Sequence, residues 1–361
     1  MVHANELQRF VDEMPKVELH LHLEGAIPLE TLFNFIQREG TEPSIKSADD
    51  LRERLAYTDF AHFIDVWVWK NSFIKDERDF DEIAYQVLRD LSAQNVKYVE
   101  AFYSPGDYVG RGFSVQGIAE RLLEGKERAR RDFGVRCELI VDVIRGDGAD
   151  VALRRLDEVG PYLGKGVIGI GLGGSEADFP ADPYEDVFRE ARARGFRLTA
   201  HAGEAAGPES IWACIDKLGV ERIGHGVRAH EDPQLVSLLK ERQIPLELCV
   251  TSNFRTGVVE SFEAHPIKQY FHQGLMVTVN SDDPTMFDTS VSREYLILAQ
   301  KLGFTADELR TLSLNGVEAS FLPDDDKVLM RSQFEKEWEQ LLSECSVNAN
   351  GVEGGRIGEG Q

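Results

Sequence analysis

Apolar and polar positions along the chain alternate between two textures. Short runs rich in β-branched and aromatic residues recur from about Val17 to Phe321, and the stretches between them place apolar residues at helical spacing. The runs predict eight strands, at 17–22, 96–103, 136–144, 166–172, 197–203, 221–226, 245–251 and 276–283. PYEDVFREARARG (183–195) and PESIWACIDKLG (208–219) are two of the intervening helical stretches, and each ends at glycine, a common helix stop. Strand alternating with helix implies parallel βαβ units. Eight such strands predict an α/β fold closed into a (β/α)8 TIM barrel rather than an open sheet.

The stretch from 24 to 95 is long for one crossover, so extra helices are expected to be inserted after strand one. TDFAHFIDVWVWKNSFI (58–74) is one of them, dense in aromatic residues. An aromatic stripe at helical spacing normally belongs to a core. Loops after barrel strands also build active sites, so Trp67 and Trp69 are candidates to cover an aromatic part of a ligand. A single barrel domain is expected over 1–345. A glycine-rich tail, 346–361, lacks apolar periodicity and has the composition of disordered chain.

Composition narrows the classes. A hydrophobic content of 42% suffices for a large core. A net charge of −23 argues against a nucleic-acid partner, because phosphate backbones need a basic face. No apolar run approaches the ~20 residues that cross a bilayer, and the first residues are too polar for a signal peptide. Cys137, Cys214, Cys249 and Cys345 are far apart and form no Cys-x-x-Cys pair. That usage fits a reducing compartment and predicts a cytoplasmic protein. Nothing in the sequence marks an oligomeric interface.

The chemistry begins with His20 and His22 at the end of strand one. Residues two apart on a strand share a face, here the barrel interior, so two imidazoles at the mouth can share a metal ion. A lone His-x-His is weak evidence. His201, in HAGE at the end of strand five, and Asp282, in NSDDP at the end of strand eight, strengthen it, because barrel enzymes keep their catalytic groups at these strand ends. Singly, each could be a satisfied core residue. Together, three imidazoles and a carboxylate suit Zn²⁺ with a water in the remaining position. No cysteine lies near these segments in the sequence, which argues against a thiolate site.

Glu204 follows His201 by three residues. Desolvation there would raise its pKa and suit it to general acid or base work; the alternative is an acid balancing a helix dipole. His225 sits between glycines in GHG, which let the backbone approach closely. Asp283 adjoins the candidate ligand Asp282. GIGLGG (169–174) matches a dinucleotide-binding pattern, but SEADFPADPY after it does not open the helix that pattern requires.

HLHLEG, HAGE, RIGHG and NSDDP, in this order, resemble the adenosine deaminase family of the amidohydrolase superfamily. They span roughly residues 15–290, and SLNGVEASFLPDDDK (313–327) extends the likeness. The resemblance implies a (β/α)8 barrel with one zinc ion on His20, His22, His201 and Asp282. It implies that Glu204 protonates the purine ring at N1, and that His225 orients and helps deprotonate the attacking water. Asp283 would hydrogen-bond N7 and hold the nucleophile, and Gly174 would offer its N–H to N3. Superfamily members with two metals bridge them through a modified lysine on strand four; here that strand has none, which favours one metal. A cytidine-type zinc deaminase would need His-x-Glu together with a later Pro-Cys-x-x-Cys, and that pair of motifs is missing because the chain has no Pro-Cys-x-x-Cys.

Two positions depart from the best-known adenosine deaminases. Glu24 stands where they carry an aspartate that meets the ribose 5′-hydroxyl. Family members acting on free adenine, or on 5′-modified nucleosides such as aminodeoxyfutalosine, resemble the chain there. In SNFRTG (252–257), after strand seven, Arg255 is either an exposed loop residue or a partner for a substrate anion. The leading expectation is deamination of a 6-aminopurine nucleoside, with free adenine and 5′-modified adenosines as alternatives. A catalytically inactive barrel acting as a growth factor or binding module would have lost at least one of these positions, and every one holds a suitable residue.

Overall fold

A computed structural model describes the backbone of residues 2–57 and 60–344. The expected glycine-rich tail, Cys345 and residues 58–59 of the aromatic stretch lie outside the described residues. Eight parallel strands run in the order of the sequence. They are β1 (Lys16–His22), β2 (Val96–Tyr103), β3 (Arg136–Ile144), β4 (Val167–Gly173), β5 (Arg197–Ala202), β6 (Arg222–His225), β7 (Leu246–Leu248) and β8 (Val277–Val279). A bridge between Leu21 and Asp282 joins the β8 end to β1, so the sheet closes nearly into a barrel with helices around it. The (β/α)8 expectation therefore holds.

Helices Leu29–Glu39, Ala48–Leu55 and Phe60–Asn71 fill the long connection after β1, ahead of the layer helix Arg78–Ser92. The stretches ending at Gly195 and Gly219 are helical, and both glycines take the left-handed conformation, at φ 96° and 59°. After β4 no helix follows at once; a short 3-10 helix at Asp182–Tyr184 leads into the helix that begins at Glu185, so GIGLGG lacks the immediate helix its pattern requires.

β7 and β8 are shorter than the apolar pattern predicts. From Val250 the chain turns into the helix Val250–Arg255, because the Thr251 N–H is taken by Glu294 Oε2 (2.9 Å) instead of a strand neighbour. Arg255 therefore lies at a helix end, not in a loop. β8 stops at Val279, and Asn280 uses its side chain to accept the Leu19 N–H (2.9 Å).

Inside the barrel, Phe102, Ile140 and Phe321 form a small apolar plug. Beneath it the interior carries charge. Arg222, fully buried, reaches Glu100 Oε2 (2.6 Å) and Glu247 Oε1 (2.5 Å), and its guanidinium lies 3.6 Å from the Phe321 ring centroid. The larger core lies between strands and helices.

Helices Arg78–Ser92 and Val115–Phe133 touch at Gly125, where an added Cβ would stand 2.2 Å from the Asp81 carbonyl oxygen. Gly125→Ala is expected to lower stability by about 1–3 kcal/mol through overpacking, although alanine favours an isolated helix by about 1 kcal/mol. Equal or greater stability of the variant in denaturant melts would refute this close approach.

Candidate active site

Barrel closure assembles the site. Asp282 N donates to His20 O (3.0 Å) and His22 N donates to Asp282 O (2.9 Å), fixing the β8 end against β1. Asp282 takes a left-handed φ of 62°, unusual for a residue with a side chain. One donor atom from each of His20, His22, His201 and Asp282 then lies within 4.8 Å of the others. His22 Nε2 is 3.1 Å from His201 Nε2 and 3.4 Å from Asp282 Oδ1, and His20 Nε2 is 3.6 Å from that oxygen. Donors bound at about 2.0–2.1 Å to one tetrahedral ion lie roughly 3.3 Å apart.

Hydrogen bonds fix which nitrogens carry protons. His20 Nδ1–H donates to Glu247 Oε2 (2.7 Å), and His201 Nδ1–H donates to Leu172 O (3.2 Å). Both imidazoles are left with bare Nε2 atoms facing the cluster. His20 Nε2 is buried without a hydrogen-bond partner among the described residues. Burial, reinforced by neighbouring imidazoles, pushes the pKa of His20 and His201 well below its usual value and that of His22 to about 3. Converging neutral lone pairs repel unless a cation lies between them, so the donor set fits a divalent metal.

Around the cluster stand the other expected groups. Glu204 Oε2 lies 3.6 Å from His225 Nε2. Burial, and secondarily the charge of Glu176, pushes the Glu204 pKa up to about 8. His225 is buried at φ 62°. Gly224 beside it is obligatory, since a Cβ there would meet His20 Cε1 at 2.8 Å. The Asp283 carboxyl is pushed well up, by burial first and then by Asp282. Gly25 packs so tightly on it that a Cβ would fall 1.7 Å from Asp283 Oδ1. Gly174 follows β4 directly, at φ 90°.

Glu24 is buried, accepts the Ser104 N–H at Oε1 (3.0 Å), and has no partner at Oε2 among the described residues. Burial raises its pKa. Trp67 stands one layer out: Lys70 lies over its ring and donates to Glu24 O (2.7 Å), while Trp67 Nε1 donates to Asp107 (3.2 Å). Trp69 instead engages Glu42 and Arg54. Arg255 is exposed, and its charge reaches Tyr57. Cys249 is nearer than its sequence position implies, within 4.8 Å of donor atoms of His225 and Asp282. Burial drives its thiol pKa well up, so it offers no thiolate.

The sequence pattern did not single out Glu176, Asn253, His265 or Glu247. Glu176 accepts the backbone N–H groups of Gly203 (2.5 Å), Glu204 (3.1 Å), Ala205 (2.9 Å) and Ala206 (3.0 Å), and so fixes the loop that carries Glu204. A short, glycine-bounded HAGEAAG turn was the available signal, because such turns leave N–H groups converging on an anion.

A donor set that could hold a metal ion at the C-terminal mouth of a (β/α)8 barrel, with a carboxyl of raised pKa beside it, is the arrangement expected of a metal-dependent amidohydrolase. The chain belongs to the adenosine deaminase family, whose model matches residues 15–337. It is a deaminase, a hydrolase of carbon–nitrogen bonds. It is 37% identical to an adenine deaminase of Streptomyces coelicolor, covering 88% of this chain and 93% of that one. It is 34% identical to an aminodeoxyfutalosine deaminase of the same organism (91% and 86% covered), and 30% identical to an adenosine deaminase of Clostridium kluyveri (94% and 97%). An amidohydrolase from Burkhoderia ambifaria, solved with bound zinc, superposes with a TM-score of 0.86 at 29% identity, covering 94% of this chain and 95% of that one. Among the described residues no helix is long and apolar enough to cross a membrane.

Glu247 orients His20 through Nδ1, and carboxylates in that position support metal-bound imidazoles. Glu247→Gln is expected to weaken metal retention about 10- to 100-fold. Competition with a chromogenic chelator measures this, and unchanged affinity would remove Glu247 from the metal's support.

Proposed function

We propose that the chain hydrolyses the 6-amino group of a purine, with one zinc ion held by His20, His22, His201 and Asp282. When bound, zinc supplies the Lewis acidity that makes water nucleophilic at neutral pH. One observation carries the reading: Glu204, holding a proton up to about pH 8, lies beside His225 and the donor cluster. A neutral 6-aminopurine presents lone pairs at N1, N3 and N7, so each partner must bring a hydrogen. Protonated Glu204 at N1, the Gly174 N–H at N3 and the protonated Asp283 carboxyl at N7 meet that demand. Proton delivery from Glu204 to N1 makes C6 electrophilic; water oxygen bonds to C6 and one water proton restores Glu204; the other water proton passes to N6, the C6–N6 bond breaks, and ammonia leaves as C6 becomes a carbonyl.

Free adenine is the substrate the site fits best. The longer Glu24 side chain places a buried carboxyl where the family's aspartate meets the 5′-hydroxyl, and its unpartnered Oε2 suits the N9–H that only the free base carries. The likeness to adenine deaminases supports this choice. A second reading, a 5′-modified nucleoside, is favoured by the aromatic group Tyr57, Phe63 and Phe287 with Arg255 nearby.

Ammonia release and the ultraviolet shift should show adenine turning over faster than adenosine or a 5′-substituted adenosine, with loss on chelation and recovery on adding zinc. Faster nucleoside turnover would overturn the assignment to the free base. Glu204→Gln should lower kcat by roughly 10²- to 10⁴-fold while zinc stays bound. Because the protonated form of Glu204 acts, kcat/KM should hold below pH 8 and fall as pH rises through about 8. A rate that keeps climbing above that point would exclude Glu204 as the ring acid.

A further inference from the structure

His225 is the fourth imidazole of the cluster, and a buried chain of hydrogen bonds behind it determines its chemistry. The chain starts at a group whose proton is not in question. The backbone N–H of Ile267 donates to His265 Nδ1 (3.2 Å). His265 is buried, and desolvation lowers its pKa to about 3, so the ring is neutral and its one proton sits on Nε2. His265 Nε2–H therefore donates to Asn253 across 3.1 Å, which fixes the atom facing it as the amide oxygen. The Asn253 amide nitrogen is then turned to His225 Nδ1, and donates to it across 3.1 Å. Asn253 and His225 are both buried, so no water competes for these contacts.

We infer that Asn253 and His265 are positioning residues that hold His225 with its proton on Nε2, so that it meets the nucleophile as a hydrogen-bond donor and not as a base. The contrast with the ligand histidines is direct. His20 and His201 each have an acceptor behind Nδ1 and present a bare Nε2, whereas His225 has a donor behind Nδ1 and presents an N–H. This polarity explains why a fourth imidazole, with its ring 4.8 Å from that of His20, stays outside the proposed ligand set. It also reverses half of the role that family resemblance implies: His225 orients the attacking oxygen and steadies charge on it, and Glu204, ionised once its proton has passed to N1, accepts the water's proton. The inference concerns the protonation pattern of this chain and rests on the proposed reaction only for the meaning of the donor.

The test is ¹⁵N NMR of the zinc-loaded, histidine-labelled protein, with His225 assigned by its loss in His225→Gln. Wild-type protein should show a pyridine-type Nδ1 and a pyrrole-type Nε2 for His225 at neutral pH. Asn253→Asp replaces the donor with an acceptor and should exchange the two signals, with kcat falling about 10- to 100-fold and KM changing little. If Asn253→Asp does not fold, His265→Gln serves instead, and mixed His225 tautomers are expected because the asparagine amide is then free to turn. A bare Nε2 on His225 in the wild type, or variants that leave its signals unchanged, would overturn the inference. Wild-type turnover on the purine panel is read separately: its absence would refute the proposed reaction and leave the tautomer result standing.

Discussion

Closure of the barrel between β8 and β1 is the contact on which the site depends. Two backbone hydrogen bonds between Asp282 and the His20–His22 segment join the first and last strands. The same bonds place a carboxylate against two imidazoles and hold Asp282 in a left-handed conformation that an unsupported residue would leave. Closing the fold and gathering the donor atoms of His20, His22 and Asp282 are thus one event.

Desolvation does most of the remaining chemical work. Burial is the first cause of every large pKa shift in the site, lowering the histidines and raising Glu204, Asp282 and Asp283. The results are neutral imidazoles able to bind a cation and carboxyls able to donate a proton near neutral pH. Such groups are tolerated in the interior because hydrogen bonds from behind support them. Glu247 orients His20, Arg222 holds Glu247, Glu100 shares Arg222, and the Phe321 ring lies against the guanidinium. The polar floor of the barrel and its catalytic mouth form one connected arrangement.

The same logic assigns different tasks to chemically identical side chains. At His20, His201 and His225, what stands behind Nδ1 decides whether Nε2 shows a lone pair or a hydrogen. Glu176 acts similarly on the backbone, gathering four N–H groups so that the Glu204 loop has one shape. Its charge also contributes, after burial, to keeping the Glu204 proton in place.

By itself, the sequence determined the barrel and most of the residues at its mouth. Strand alternation has a fixed period, and residues two apart must share a face, so spacing alone puts His20 and His22 on one side of β1. Glycines at helix ends and beside His225 were legible for the same local reason: backbone geometry needs them whatever surrounds it. Only the tertiary structure decided the short β7 and β8, because Glu294 takes the Thr251 N–H from far along the chain and the Asn280 side chain takes the N–H of the distant Leu19. It also decided the partners of Glu176, Asn253, His265 and Glu247. Their significance lies in which atom they turn toward which neighbour, a property of hydrogen-bond direction across separate loops that residue type and spacing do not encode.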